Sequence, residues 1–258
     1  PEELGRNYPA LRLLGDAKES LAALNTAIEK LPATGLAART KQIEQVIAQA
    51  RAKHAQESAA PPDTPPGLLH PETVVHALAT IRDQVTWVAD ASYASIWLVQ
   101  YLPSLRAGTR FLTPRGIAGL GWGFPMAIGA KLAAPDKRVI CLTGDGGFAH
   151  CWAELETARR HGIPVTVIVL NNGVLGFQIN AEESRFGSHT EVCHFGPIDH
   201  VAIAKACGCD GMQVQSLDEL TQALDTASRT TLPYVIDVKT DPAAFPPITA
   251  FESQRRGS

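Results

Sequence analysis

The stretch RVICLTGDGG (Arg138 to Gly147), followed by PVTVIVLNN (Pro164 to Asn172), decides how this chain folds. Each holds an apolar, β-branched run with the length of a buried strand, Arg138 to Thr143 and Pro164 to Leu170, and the interval Ala149 to His161 reads as a helix. This is one βαβ unit. Parallel strands joined by a helical crossover lie about 4.8 Å apart when adjacent. Asp145 and Asn172, 27 positions apart, are therefore expected together at the carboxyl edge of the sheet, where α/β folds bind ligands. A carboxylate and an amide oxygen are the hard donors that Mg²⁺ takes, with phosphate oxygens, water and a backbone carbonyl completing its octahedron. Gly146 and Gly147 suit the same site, because without side chains they let a phosphate approach backbone N–H groups at a helix start, where the helix dipole favours an anion. A strand-to-helix turn capped by Asp145 would account for Gly144-Asp145-Gly146 alone, but not for its pairing with Asn171-Asn172 at the next strand end.

The rest of the chain agrees with an α/β fold, a parallel sheet with helices on both faces. Its 258 residues are 45% hydrophobic, enough to bury a sizeable core. A formal net charge of −3 with no long basic run sets aside nucleic acid and anionic membrane surfaces as main partners, and no stretch is long and apolar enough to span a bilayer. The start, Pro1-Glu2-Glu3-Leu4, lacks signal-peptide features, so a cytoplasmic location is expected. Five scattered cysteines are expected to be reduced thiols. A zinc site from Cys207 and Cys209 with His189, Cys193, His194 and His200 is disfavoured, since Cys-x-Cys is an unusual ligand spacing and Ala202 to Cys207 reads as a packed helix.

Ala17 to Leu31 and Leu36 to Glu57 read as helices, the second with Ile43, Val46, Ile47 and Ala50 on one stripe. Ser58 to Gly67 (SAAPPDTPPG), with its four prolines, reads as a linker, and places a domain boundary near residue 68. A helix (Glu72 to Ile81) and a strand (Gln84 to Ala89) then lead into a turn, Asp90 to Ser95, before Ile96-Trp97-Leu98-Val99. Gly116 to Gly123 (GIAGLGWG) is dense in glycine but is not a dinucleotide fingerprint: it follows no strong strand, lacks the ordered Gly-x-Gly-x-x-Gly and runs into Phe124-Pro125. Pro125 suits the first turn of a helix continuing through Met126 to Leu132.

Gly144-Asp145-Gly146 with Asn171-Asn172 resembles the signature of the thiamine diphosphate enzymes. Ile117 to Leu132, Phe177 to Thr190 and Glu2 to Leu24 are similar, in the same order, to segments of the acetolactate synthase, pyruvate oxidase and benzoylformate decarboxylase group. The resemblance implies that residues 68–248 are the carboxy-terminal, diphosphate-binding domain. It makes residues 1–35 the end of a preceding central domain, 36–67 a helix and linker, and 249–258 a tail. It implies thiamine diphosphate and Mg²⁺ as cofactors, the metal held by Asp145, Asn172 and the Val174 main-chain carbonyl. Gly144, Asp145, Gly146, Gly147, Leu175 and Gly176 would line the cofactor site, where Ser92, Tyr93 and Ser95 would face the diphosphate; Ser92 or Ser95 capping a helix start is the alternative. Leu120 would wedge under the folded cofactor, or simply fill core, and the Ala118 carbonyl would accept the 4′-amino group.

The implied activity is decarboxylation of a 2-oxo acid, pyruvate favoured, with transfer of the acyl carbanion to a second carbonyl. A simple 2-oxo acid decarboxylase or acyl-CoA lyase of the same superfamily is the alternative. So is a fragment inactive without its pyrimidine-binding domain, because the glutamate that protonates the aminopyrimidine belongs to that domain and no Glu here matches it. That domain, from a missing amino-terminal region or a separate chain, is an implied partner, within a homodimer or homotetramer. The chain also departs from the group. Ser92-Tyr93-Ala94-Ser95 stands where acetolactate synthases usually show Gly-Gln-His-Gln. Ala181 occupies the place of a Trp that selects the larger acceptor, and Phe177 and Gln178 replace the usual Met and Val, which argues against a branched-chain biosynthetic role. Glu182, Arg185, Phe186 and His189 lie on the segment that covers the cofactor in relatives, or on an exposed loop.

Overall fold

The computed structural model describes residues 11–32, 35–57, 63–114 and 116–246. The first part of the Glu2 to Leu24 resemblance, the Ser58 to Pro62 part of the linker and the 249–258 tail lie outside the described residues. The chain divides into two compact units, Pro1–Ala60 and Pro61–Ser258.

The first unit holds α1 (Ala17–Glu29) and α2 (Leu36–Glu57). Asp16 starts α1 by accepting from the Lys18 and Glu19 backbone N–H groups, the ordinary use of an N-cap carboxylate. Ile43, Val46 and Ile47, the apolar stripe of α2, are exposed.

The second unit is built on six parallel strands: β1 (Val85–Ala89), β2 (Phe111–Leu112), β3 (Arg138–Gly144), β4 (Thr166–Asn171), β5 (Asp210–Val214) and β6 (Tyr234–Lys239), in the order β2-β1-β3-β4-β6-β5. Because strand side chains alternate between faces, the sheet feeds two cores. Trp87, Ile140, Leu142, Ile168 and Ile236 point to one core, closed by residues of α3 (Pro71–Ala77), α4 (Tyr93–Tyr101) and α10 (Leu217–Arg229). Val88, Val139, Cys141, Val167, Val169 and Val235 point to the other. It is closed by α5 (Gly123–Ala133), α6 (Asp145–Ala149), α7 (Glu154–Arg160) and α9 (His200–Ala206). The remaining helix, α8 (Gly176–Phe186), follows the turn after β4. β1 has β2 on one side and β3 on the other, so the strand order reverses there, and ligand crevices form outside the carboxyl ends of strands at such a point.

The helix expected over Ala149 to His161 is two helices. It begins earlier, at Asp145 directly off β3, and is interrupted after Ala149. Cys151 N–H donates to the Phe148 carbonyl, Glu154 to Cys151 and Leu155 to Trp152, so tight i to i+3 turns carry the chain through the break. Gly146 and Gly147 in α6 are weak helix formers, and the turns let Phe148, Cys151 and Leu155 all reach the buried side. Similarly, α4 starts at Tyr93, inside the expected turn, and α3 ends in a single 3₁₀ turn over Leu78–Thr80.

Candidate functional site

Asp90 organises the crevice. It follows β1 and is almost wholly buried. Its Oδ2 accepts from Gly121 N–H at 2.9 Å, and its Oδ1 accepts from Trp122 and Gly123 at 3.1 and 3.0 Å. The Thr143 hydroxyl, from β3, donates to Oδ2 at 3.4 Å. A carboxylate on one strand thus caps α5 from outside its own chain segment, satisfying orphan N–H groups and complementing the helix dipole. The bond set holds the end of the loop that carries Ala118 and Leu120, where it enters α5. Two glycines make it possible: a Cβ on Gly123 would sit 2.8 Å from the Asp90 Cβ, and one on Gly147 would overlap Asp90 Oδ2.

Asp145 and Asn172 come together as the βαβ unit requires. Gly144 of β3 stands opposite Leu170 of β4. One Asp145 oxygen, Oδ1, accepts from Gly146 N–H at 2.8 Å, and Oδ2 accepts from Gly173 N–H at 2.6 Å. Asp145 is 6% exposed, and among the described residues no cationic side chain forms an ion pair with it. Burial accordingly pushes its carboxyl above the ordinary carboxylate range, against the pull of the Gly173 and Gly146 N–H groups. Asn172 Oδ1 accepts from Val174 N–H at 3.2 Å, which shapes the turn. That turn is also clamped from outside: Leu175 N–H donates to the Cys193 carbonyl and Phe195 N–H to the Gly173 carbonyl, both at 2.8 Å, around a Val174–His194 bridge.

Gly144, Asp145, Gly146 and Gly147 line one cleft together with Asn172, Val174, Leu175 and Gly176, and Ser92, Tyr93 and Leu120 lie along it. Ala118 lines an adjoining pocket that shares Ser92, Leu120 and Leu175 with the cleft and adds Ile96, Ile117, Phe177 and Gln178. Packing by itself calls for glycine at Gly146 and Gly147. A Cβ on Gly146 would meet Leu175 Cδ2 at 2.7 Å and the Phe195 ring at 3.0 Å, so protein atoms fill that direction. Gly176 likewise faces the Tyr93 ring at 3.1 Å.

The three hydroxyls differ. Ser92 stands at the N-cap position of α4 with no side-chain capping bond, and the Ser95 hydroxyl donates to the Ser92 carbonyl at 2.9 Å. Ser95 is not among the cleft-lining residues. Tyr93 lines the cleft with its ring between Phe177 and Phe245, and its phenolic oxygen accepts from Asn180 Nδ2 at 2.9 Å. Ser92 and Ala118 adopt positive φ, 68° and 58°, conformations uncommon outside glycine that concentrate at functional sites.

Glu182, Arg185, Phe186 and His189 line neither the cleft nor the adjoining pocket. They bond to their own segment instead: Glu182 accepts from Thr190 N–H at 2.7 Å, His189 meets Glu183 at 2.9 Å, and Arg185 lies over the Phe186 ring. Among the described residues no group of three His, Cys, Asp or Glu is placed to hold a metal, and all five cysteines are free. The Asp145 carboxylate and the Asn172 amide are hard oxygen donors of the kind Mg²⁺ takes, its shell being completed by phosphate and water.

The family described as "Thiamine pyrophosphate enzyme, C-terminal TPP binding domain" matches residues 90–238. A probable acetolactate synthase large subunit of Methanococcus aeolicus is 31% identical over 183 residues, covering 68% of this chain and 30% of that protein. One from Methanocaldococcus jannaschii is 28% identical over 257 residues, 96% of this chain and 42% of that protein. Among solved structures, the thiamine diphosphate-dependent 4-hydroxybenzoylformate decarboxylase of Rhodococcus jostii RHA1 superposes with a TM-score of 0.64 at 28% identity, over 69% of this chain and 34% of that one. The chain therefore spans well under half the length of these relatives. With a cleft built on the Asp145 and Asn172 turns inside the matched region, the chain belongs to the thiamine pyrophosphate enzymes and carries their carboxy-terminal cofactor-binding domain.

Proposed function

We propose that the cleft binds thiamine diphosphate through Mg²⁺, and that the chain is the cofactor-binding part of an acetolactate synthase-like enzyme. It decarboxylates a 2-oxo acid, pyruvate favoured, and joins the acyl unit to a second carbonyl. The observation that carries this reading is Asp145: a buried carboxylate with both oxygens oriented by backbone N–H groups and no cationic side chain in ion-pair contact among the described residues, beside the Asn172 amide at the same strand edge. Asp145, Asn172 and the Val174 carbonyl would hold the metal, which would offset that charge, and N–H groups at the start of α6 would face the diphosphate. Leu120 and the Ala118 carbonyl, on the loop that leads into the Asp90-capped start of α5, would face the rings. When bound, thiamine diphosphate supplies the electron sink for decarboxylation. The residues of this chain would bind and orient the cofactor; no Glu among them matches the one expected from a pyrimidine-binding domain, so the reading calls for that domain, within a homodimer or homotetramer, before turnover. We read the location as cytoplasmic.

A second reading, decarboxylation without carbon–carbon bond formation, is favoured by the apolar wall of Ile96, Ile117, Leu175 and Phe177 beside the cleft, which suits a larger 2-oxo acid side chain. Calorimetric titration of this chain with thiamine diphosphate tests the site: binding that appears only with Mg²⁺ is expected, and equal heats with and without the metal would overturn it. Product analysis after adding a pyrimidine-binding domain distinguishes the two activities.

A further inference from the structure

Asn171 and Asn172 are adjacent, yet their side chains part company. While Asn172 faces the cleft, Asn171 turns the other way and donates from Nδ2 to Asp237 Oδ1 at 2.8 Å, with His200 Nδ1 3.2 Å from the same nitrogen. His200 Nδ1 lies 3.3 Å from the other Asp237 oxygen, which Lys239 Nζ approaches at 3.3 Å. Asp237, on the neighbouring strand β6, and His200, at the start of α9, are both fully buried. Phe148 and Trp152 flank the imidazole with ring centroids at 5.8 and 6.3 Å, so its orientation is held by packing as well as by charge.

One atom in this arrangement is unmet. His200 Nε2 is buried without a hydrogen-bond partner, and the deficit holds for either tautomer, since Nε2 then lacks a donor or an acceptor. His200 lines a small cavity with Asp145, Asn171, Ala149, Phe195 and Ile198. Its volume is about 30 Å³, room for one water molecule, and although its walls are largely apolar, His200, Asp145 and Asn171 bring to it the polar groups that a buried water needs.

We propose that His200, with Asp237 and Asn171, is a positioning residue for the Mg²⁺ site, acting through Asn171 and through one water in this cavity that links Nε2 to the Asp145 side of the turn. Asp237 fixes Asn171, the last residue of β4, and thereby the direction in which Asn172 and Gly173 leave the sheet. The water-linked imidazole braces the carboxylate from behind. Outer-shell partners of this kind typically change metal affinity by about 10- to 100-fold when removed. The inference rests on the thiamine diphosphate reading of the cleft.

The test measures, by calorimetry on the whole chain, the Mg²⁺ concentration giving half-maximal thiamine diphosphate binding, alongside the urea midpoint of the metal-free chain. His200→Phe keeps an aromatic ring and removes both nitrogens; it is expected to raise the Mg²⁺ requirement about tenfold or more and, by leaving buried Asp237 short of a partner, to lower the metal-free midpoint without unfolding the chain. His200→Gln restores a polar group toward the cavity and is expected to recover most of that loss. A wild-type Mg²⁺ requirement in His200→Phe, or a His200→Gln variant as impaired as His200→Phe, overturns the proposal while leaving the cofactor site standing. If His200→Phe does not fold, Asp237→Asn, which alters charge with little change of shape, is read by the same two measurements. Absence of Mg²⁺-dependent binding in the wild type would overturn the site itself, and this inference with it.

Discussion

Gly147→Ala tests whether the crevice is built around Asp90. The added Cβ would overlap Asp90 Oδ2 and fall 3.0 Å from Thr143 Oγ1 and 3.3 Å from Asp90 Cγ, against atoms held by the backbone of β1 and β3. Overpacking of this kind costs about 1–3 kcal/mol. Relief requires the carboxylate to swing away from the Gly121, Trp122 and Gly123 N–H groups, and hydrogen bonds to a charged group contribute about 1.5–3 kcal/mol each. With partial relaxation, the expected loss is about 3–5 kcal/mol, or on the order of 10 °C in thermal midpoint for a unit of this size. Gly144→Ala is the control, because nothing lies within 4 Å of its added Cβ and its φ of −84° is ordinary; a change below about 1 kcal/mol is expected. Urea unfolding followed by circular dichroism measures both. In an Asp90→Ala background the Gly147→Ala penalty should shrink by more than about 1 kcal/mol, since the two residues are coupled. Equal midpoints for Gly147→Ala and Gly144→Ala, or full additivity with Asp90→Ala, would refute the assignment.

Asp145→Asn should separate stability from binding. Burial, the largest influence, raises the Asp145 carboxyl in the folded state, so it contributes stability below its unfolded pKa that is lost as pH rises through the folded value. Without metal, Asp145→Asn is therefore expected to melt higher than wild type at pH 7, the gap closing below the unfolded value of about 3.9, while Mg²⁺-dependent cofactor binding disappears. A lower melting point at pH 7 together with retained binding would contradict both halves. The thiols provide a third check: burial pushes Cys151 up to about 12 and Cys209 up to about 11. At pH 8 a thiol reagent should reach Cys207 first, the others following only on unfolding; rapid labelling of Cys141 or Cys193 would show that the core around them opens.

The βαβ unit was legible because fully buried parallel strands read as unbroken β-branched runs, and two such runs ending in Asp145 and Asn172 leave little freedom in where those residues emerge. What lies around the pair was not. Asp90 looks like any polar residue in a turn; its role follows from N–H groups more than 30 positions away, which carry no sequence mark. The partners of Asn171, His200 and Asp237, come from an α9 and a β6 that are 29 and 66 positions on, and β6 inserts between β4 and β5, an order that no local pattern encodes. β5 (DGMQV) is too polar to announce a strand, although the capping box Ser216 to Glu219 does mark the start of α10. The break between α6 and α7 was hidden because tight i to i+3 turns preserve an almost helical apolar spacing.

These hidden contacts explain why a short visible motif suffices for a site. A carboxylate meant for a metal must be buried enough to exclude competing water, yet an isolated buried charge disfavours its own ionised form. Asp145 shows both features: each of its oxygens is turned by one backbone N–H, and its carboxyl is still pushed up. Asp237, equally buried, has the opposite fate. Burial raises its carboxyl too, but bonds from His200 and Asn171 outweigh this and hold it below the ordinary range. Two buried aspartates in neighbouring layers of one fold are thus distinguished by what accompanies them. The protein neutralises Asp237 internally, which makes it scaffolding, and gives Asp145 no ion-paired cationic side chain among the described residues, which under the proposed function suits it to a bound cation. The same asymmetry marks the loop that Asp90 holds, where Ile117 and Trp122 remain exposed on a backbone fixed by three N–H bonds. Under the proposed function a pyrimidine-binding domain would cover that apolar rim, as the cation would meet Asp145 at the other edge of the crevice.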